Sequence, residues 1–255
     1  MTFDRNLKNT FDNLSRLYDE VRPTYPPELI NDIVAYAHLK PDAQILDIGC
    51  GSGQATIPFA ERGYTIVGID ISENLLEIAQ EKTVAMNTVS YLKDSFENAE
   101  FEPESFDLLI AAQAFHWVDP DIGYSKSREI LKSGGTFALF WNEPKYHEHW
   151  LAEVEKLFFK LCPKYKYTNP STIVEKQTIT LHELGQYNTI ENRHYSRVLP
   201  YSKEKFKLLL TTFSWVSSLP PETKETFMRE IDLLIAEQGE TLEVPYQTYL
   251  FLTKK

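Results

Sequence analysis

A short apolar run, Ile45-Leu46-Asp47-Ile48, leads straight into three glycines at alternate positions, Gly49, Gly51 and Gly53, and then into a helix-forming segment that starts at Gln54. This order of strand, tight turn and helix restricts the fold more than any other stretch of the chain. Glycine tolerates left-handed backbone and lets a ligand approach where a Cβ would collide, while the free N–H groups that open the next helix face that ligand. The expected occupant is a nucleotide-type cofactor. A dinucleotide fingerprint, G-x-G-x-x-G, would place a small residue at position 54, where this chain has Gln54. Its third glycine comes one residue early. Taken alone, such a loop also fits an ordinary strand-to-helix turn.

A second strand-like run, Thr65-Ile66-Val67-Gly68-Ile69-Asp70, ends seventeen positions after Gly53. One helix near 54–62, a turn at Gly63 and one strand fill that interval. Asp70 is therefore expected at the carboxyl end of the strand beside the first, with Ile71 following it. An acidic side chain there accepts hydrogen bonds from ribose hydroxyls in more than one cofactor class. Asp70 or Ser72 also suits the N-cap of the helix that begins at Glu73, and the two roles are compatible.

Further along, Val89-Ser90-Tyr91-Leu92 runs into Lys93-Asp94-Ser95-Phe96, and Phe106-Asp107-Leu108-Leu109-Ile110-Ala111-Ala112 runs into Gln113-Ala114-Phe115-His116-Trp117-Val118-Asp119. The order D-x-G-x-G-x-G at 47–53, Asp70, Asp94, F-D-L-L-I-A and then Gly134-Gly135-Thr136 resembles the class I S-adenosylmethionine-dependent methyltransferases, over about residues 10–142. The A-F-H-W-V-D form is similar to a small-molecule subgroup that includes trans-aconitate-type enzymes. The resemblance implies that S-adenosylmethionine binds, leaving S-adenosylhomocysteine as product. It implies that Asp47, Gly49, Gly51 and Gly53 form the cofactor loop, and that Asp70 and Ile71 meet the ribose. Asp94 and Ser95 then face the adenine, and Gln113 lies under the methionine half. The segment Tyr18-Asp19-Glu20-Val21-Arg22-Pro23-Thr24-Tyr25-Pro26 resembles a Y-D-x-x-R-P-x-Y-P signature that folds over the cofactor. Tyr18 and Arg22 are then expected at the methionine carboxylate, for which the planar guanidinium fork is suited. The plain alternative is a proline-routed loop with a solvated arginine.

Residues 44–141 alternate strand and helix, the pattern of a parallel sheet covered on both faces. Strands are expected near 44–48, 65–69, 89–92, 106–111 and 136–141, and helices near 54–62, 73–85 and 120–132. Asp119-Pro120 opens the last helix and Gly134-Gly135 follows it. In such sheets ligands sit outside the carboxyl ends of the strands. Trp150, Val154, Leu157, Phe158 and Leu161 share one helical face, and further helices are expected at 202–213 and 221–237. Two remaining strand-like runs, near 189–199 and 244–253, would pair antiparallel at one edge with those helices inserted between them. The fold class is α/β: a Rossmann-like class I methyltransferase with a seven-stranded, mostly parallel sheet, an antiparallel last strand and helices on both faces. One domain is expected over 1–255, with a cofactor core at about 35–142 and a substrate-cap and sheet-edge region at about 143–255. The inserted helices are either a lid or a plain wall.

Composition narrows the function. A 255-residue chain with 42% hydrophobic and 25% charged residues is long enough for one well-buried core. It holds no run of eighteen apolar residues and no signal-like N-terminus, so a cytoplasmic enzyme with no membrane partner is expected. A net charge of −11 argues against a nucleic-acid partner. Lys164-Tyr165-Lys166-Tyr167 and Lys203-Glu204-Lys205-Phe206-Lys207 are short basic stretches best read as solvated faces. Cys50 and Cys162 are expected as free thiols rather than a disulfide. His147-Glu148-His149 lacks metal-site spacing, so no metal is expected. Monomer and homodimer are both compatible with the chain.

The expected activity is methyl transfer to a small, partly apolar or carboxylate-bearing acceptor, by O- or N-methylation. Transfer is an in-line displacement that depends mainly on alignment. His116 is the candidate catalytic base, because its ordinary pKa lies near neutrality. The alternative is that it only lines the pocket. Trp141, Tyr146, Trp150, Phe213 and Trp215 are candidate wall residues. Two other functions compete: a nicotinamide-dependent oxidoreductase, disfavoured by Gln54 and Asp94, and a non-catalytic S-adenosylmethionine-binding protein acting through a partner.

Overall fold

The computed structural model describes residues 15–148, 150–162 and 190–255. The basic stretch at 164–167 and His149 lie outside the described residues. In chain order the elements are α1 (Ser15–Val21), α2 (Pro27–Ala37), β1 (Gln44–Ile48), α3 (Thr56–Ala60), β2 (Thr65–Asp70), α4 (Glu73–Thr83), β3 (Val89–Lys93), β4 (Phe106–Ala112), α5 (Pro120–Ile130), β5 (Leu131–Pro144), α6 (Leu151–Leu161), β6 (Ile190–Ser202), α7 (Lys203–Thr211), α8 (Ser214–Ser217), α9 (Pro221–Ala236) and β7 (Thr241–Lys254).

Seven strands form one sheet in the order β3-β2-β1-β4-β5-β7-β6. β7 runs antiparallel to both neighbours, and the pairings among β1 to β5 are parallel. The strand order turns outward on both sides of the β1–β4 pair, which is where a doubly wound sheet opens a ligand crevice beyond its carboxyl ends.

The sheet buries both faces, as strands with near-continuous apolar runs require. Leu46, Leu109, Phe137, Leu139 and Trp141 point to one side, with Phe115 and Tyr124 packed on them. Ile45, Leu108, Ile110, Ala138 and Phe140 point to the other, against Leu29, Ile30 and Ile33 of α2 and Phe59 of α3. A third cluster lies past the strand ends, where Val154 and Phe158 of α6, Phe206 and Leu209 of α7, and Phe227 and Ile231 of α9 meet Tyr201, Leu242 and Tyr246. The helices between β6 and β7 thus have their own core.

Local signals place most boundaries. Ser72 caps α4, its Oγ accepting from Leu75 N at 3.2 Å. Asp119 caps α5, with Pro120 as first residue. The first helix after the glycine loop is shorter than expected, five residues against a span of 54–62. β5 is longer than expected at both ends. Leu131 already pairs with Phe106, and beyond Phe140, where β4 stops, β7 continues to pair as far as Pro144↔Tyr246. No helix among the described residues is long and apolar enough to cross a membrane. Cys50 and Cys162 are both free.

Candidate cofactor and acceptor site

The glycine loop is fastened to the strand beside it by its own backbone. Gly49 N and Cys50 N both donate to Ile69 O, at 2.8 and 3.0 Å. Gly49, Gly51 and Gly53 have φ of 68°, 54° and 80°, left-handed values that strain other residues. At Gly49 a Cβ would stand 2.4 Å from the Ala114 Cβ, so glycine is required for loop and β4 end to touch. At Gly51 a Cβ would meet nothing within 4 Å, because that side of the loop faces an open cleft.

Asp70 closes the loop. Its Oδ2 accepts from Gly51 N at 2.9 Å and its Oδ1 from Ser72 N at 2.8 Å. The carboxylate thus holds the loop and the start of α4 together. Asp94 N donates to Asp70 O at 3.1 Å, and Asp94 Oδ1 accepts from Ser95 N at 2.7 Å. The ends of β1, β2 and β3 are stitched into one rim.

The cleft above this rim, of about 140 Å³, is lined by Tyr18, Gly49, Gly51, Asp70, Ile71, Asp94, Ser95 and Gln113, with Ser72, Leu75, Phe96, Glu97, Trp117 and Val118 among its other walls. Eight of the residues singled out from the sequence therefore meet in one place. Gln113 adopts φ 59°, held there by its N–H on Phe140 O at 2.9 Å and its Nε2 on Asn142 O at 2.6 Å. A non-glycine residue in this region is strained and persists only where its surroundings fix it.

Four expected site residues lie elsewhere. Asp47 is fully buried beneath the loop, where its Oδ2 accepts from Thr56 Oγ1 at 2.7 Å and its Oδ1 has no partner. Burial pushes its pKa up to about 7. It supports the loop from below and does not line the cleft. At Gly53 a Cβ would stand 3.3 Å from both the Ala79 Cβ and the Tyr91 hydroxyl, so the glycine makes room for α4 rather than for a ligand. His116 sits behind the cleft, its Nδ1 accepting from Trp141 Nε1 at 3.3 Å. Burial lowers its pKa to about 4, which leaves it a weak base. Arg22 faces a neighbouring cavity instead. Its Nε donates to Thr212 Oγ1 at 3.0 Å and its Nη2 to Thr212 O at 2.8 Å.

That neighbouring cavity shares Tyr18 and Gln113 with the cleft and adds Arg22, Tyr25, Gln54, Asn142, Phe213 and Tyr246. Several of these carried no signal in the sequence. Asn142, 4% exposed, donates from Nδ2 to Pro23 O and Thr24 O at 3.1 and 3.3 Å. Its Oδ1 accepts from Thr248 Oγ1 at 2.6 Å and Arg197 Nη2 at 3.1 Å. Gln54 Nε2 lies 3.4 and 3.5 Å from Asp19 O and Arg22 O, a weak tie between the glycine loop and the N-terminal segment. Of the expected wall residues, Phe213 lines this cavity, while Tyr146, Trp150 and Trp215 belong to the third core cluster and Trp141 to the first. Among the described residues no group of histidine, cysteine or acidic side chains is placed to hold a metal ion.

Known proteins agree with this geometry. A family model described as a methyltransferase domain matches residues 46–139. A Dictyostelium discoideum protein named as a methyltransferase is 26% identical over 270 residues, covering 96% of this chain and 94% of its own. A Saccharomyces cerevisiae protein named as an S-adenosylmethionine-dependent methyltransferase is 35% identical over 136 residues, 51% of this chain and 46% of its own. A solved structure from Anaeromyxobacter dehalogenans, titled as a type II methyltransferase, superposes with a TM-score of 0.66 at 22% identity, covering 91% of this chain and 97% of that one. At that identity the likeness is one of fold. The nicotinamide reading gains nothing from these relatives. The matched span runs from β1 to β5, the part of the sheet whose strand ends build the cleft, and over that span the chain carries a class I S-adenosylmethionine-dependent methyltransferase domain.

Proposed function

We propose that the chain transfers a methyl group to the oxygen or nitrogen of a small acceptor that enters from the side of Arg22 and Phe213. The observation that carries this reading is Gly51. Its left-handed backbone opens onto the cleft with nothing within 4 Å of a Cβ, and its N–H is tied to Asp70. That is a cradle for a ligand carrying a ribose beside an extended polar arm. In the proposed arrangement Asp70 accepts the ribose hydroxyls, and Asp94 with Ser95 faces the base above Phe96. Gly49 and Gln113 pass under the amino-acid arm, with Tyr18 over it.

S-adenosylmethionine, when bound, supplies an electrophilic methyl group on sulfur. The protein's part is to hold the acceptor atom in line with that group and keep water out. Tyr18 and Gln113 line both the cleft and the adjoining cavity, which makes them the boundary where transfer takes place. His116 is assigned a supporting role, since it lines neither cavity and its pKa is depressed. An acceptor that is already anionic needs no base.

Calorimetric titration with S-adenosylhomocysteine, with NAD as control, on the wild type and on Asp70→Ala tests the cofactor half. Binding of S-adenosylhomocysteine alone, lost by tenfold or more in the variant, is the expected result, about 1.4 kcal/mol or more. Tight binding with no turnover on any acceptor would favour the reading of a non-catalytic partner protein instead.

A further inference from the structure

The narrow cavity beside the cofactor cleft has room, at about 10 Å³, for a single water-sized group. Its chemistry is unlike that of the cleft. The cleft is rimmed by Asp70, Asp94 and Glu97, whereas among the described residues the cavity has one charged side chain in its wall, and that is Arg22.

Arg22 is held rigidly. The guanidinium carbon lies 4.2 Å from the Phe213 ring centroid and 4.9 Å from that of Tyr18. Its Nε and Nη2 are fixed on Thr212, at the end of α7. The Nη1 group makes no hydrogen bond among the described residues, which leaves donors of the planar fork for a ligand. The field of Arg22 reaches the Glu143 carboxyl, whose pKa burial pushes up to about 7, so near neutrality Glu143 offsets the arginine only in part.

A second group points to an occupant. Tyr246 is 1% exposed and lines the cavity, and its hydroxyl, with the Tyr201 hydroxyl as its neighbour, makes no hydrogen bond of regular geometry. Buried hydroxyls are normally satisfied, and a ligand oxygen would satisfy this one.

We infer that this cavity is the head-group subsite of the methyl acceptor, and that it takes one oxygen of a carboxylate held by Arg22 and Tyr246, the rest of the group lying in the cavity mouth. This rests on the proposed function above, and it assigns Arg22 to the acceptor rather than to the methionine carboxylate of the cofactor. Tyr18 stands between the two cavities, so the body of the acceptor extends past it toward the methyl group. A planar carboxylate matches the guanidinium fork, and one of its oxygens is the size of group the cavity admits.

The experiment is calorimetric titration of the enzyme saturated with S-adenosylhomocysteine, using benzoate and its neutral counterpart benzamide. The wild type is expected to bind benzoate at least about tenfold more tightly than benzamide, a difference of about 1.4 kcal/mol. Arg22→Gln removes that preference, Arg22→Lys keeps a reduced one because the charge remains without the fork, and Tyr246→Phe weakens benzoate several-fold. S-adenosylhomocysteine and 5′-methylthioadenosine, which lacks the amino-acid arm, are titrated into the wild type and Arg22→Gln in parallel. The variant is expected to bind both as the wild type does, which also shows that it has folded. Equal affinity for benzoate and benzamide, or no benzoate binding, overturns the inference. So does a tenfold loss of S-adenosylhomocysteine in Arg22→Gln with methylthioadenosine unchanged, which would return Arg22 to the cofactor. Failure of the wild type to bind S-adenosylhomocysteine would instead strike the proposed function, and the two failures are read separately.

Discussion

On the proposed cofactor side of the crevice the wall is largely backbone: the bare Cα atoms of Gly49 and Gly51, whose N–H groups are fastened to Ile69 O and Asp70 within a stretch of about two dozen residues. On the proposed acceptor side the wall is made of side chains that come from far apart. Tyr18 and Arg22 arrive from the N-terminal segment, Gln54 from the loop before α3, Gln113 from the end of β4, Asn142 from β5, Phe213 from after α7 and Tyr246 from β7. A backbone cradle tolerates almost no change at its glycines and little variation in its ligand. A wall of side chains can be altered one residue at a time while the sheet stays intact. The difference separates the fixed wall proposed for the cofactor from the adjustable wall proposed for the acceptor.

The largest expected effect is that of Gly49→Ala. The new Cβ would sit 2.4 Å from Ala114 at a left-handed φ, and the cost is expected at about 2–5 kcal/mol with loss of S-adenosylhomocysteine binding. Gly51→Ala sharpens the contrast. It meets no protein atom within 4 Å, so it is expected to cost about 1–2 kcal/mol while still losing at least about tenfold in cofactor affinity. Urea melts and titrations of the two variants test whether one glycine serves packing and the other the ligand; equal stability of both would dissolve that distinction.

Next in size is a pH effect beneath the loop. Asp47 has a folded-state pKa raised from 3.8 to about 7, so the native state holds a proton that the unfolded chain releases. Stability therefore falls as pH rises from about 4 to 7, by at most about 4 kcal/mol for a shift of that size. Glu143, raised from 4.5 to about 7, contributes in the same direction over nearly the same window. Asp47→Asn is expected to remove about half of the slope between urea midpoints measured at pH 4.5 and 7.5. An unchanged slope would mean that Asp47 is ionised in the folded protein.

Asn142→Ala probes the acceptor wall. It deletes the bonds to Pro23 O, Thr24 O, Thr248 and Arg197, at an expected cost of about 1–3 kcal/mol. Cofactor affinity should change little while the acceptor KM rises, because the bonds lost hold the N-terminal segment and not the glycine loop. A cofactor loss as large as the KM effect would merge the two walls into one unit.

The smallest effect is expected at His116. His116→Gln should lower turnover by less than about threefold, whereas loss of a general base costs about a hundredfold or more. A loss of the latter size would restore His116 as the base.

The same contrast explains what could be read from the chain beforehand. The glycine loop, Asp70, Asp94 and the first five strands announce themselves through spacing and apolar alternation, which are properties of neighbouring residues. Asn142 and Tyr246 look like ordinary strand residues, and their roles arise only when β7 brings position 246 opposite 144 and turns Asn142 toward Pro23. Gln54 stood out only as a mismatch to a dinucleotide fingerprint. Its place beside the carbonyls of Asp19 and Arg22 shows that the larger side chain spans the gap to a segment that a small residue would leave unbridged. Arg22 could be predicted to act on an anion, but the side of Tyr18 on which it would lie depends on Thr212, 190 residues away in sequence.

The position of β7 has one more consequence. It is made after every other strand, yet it lies inside the sheet, between β5 and β6. During synthesis the parallel half can assemble around β1 while the open flank of β5 and the whole of β6 wait for a partner. The cofactor cradle can therefore form on the emerging chain well before the acceptor wall exists, and a chain stalled before position 241 would hold its methyl donor beside an unfinished, adhesive sheet edge.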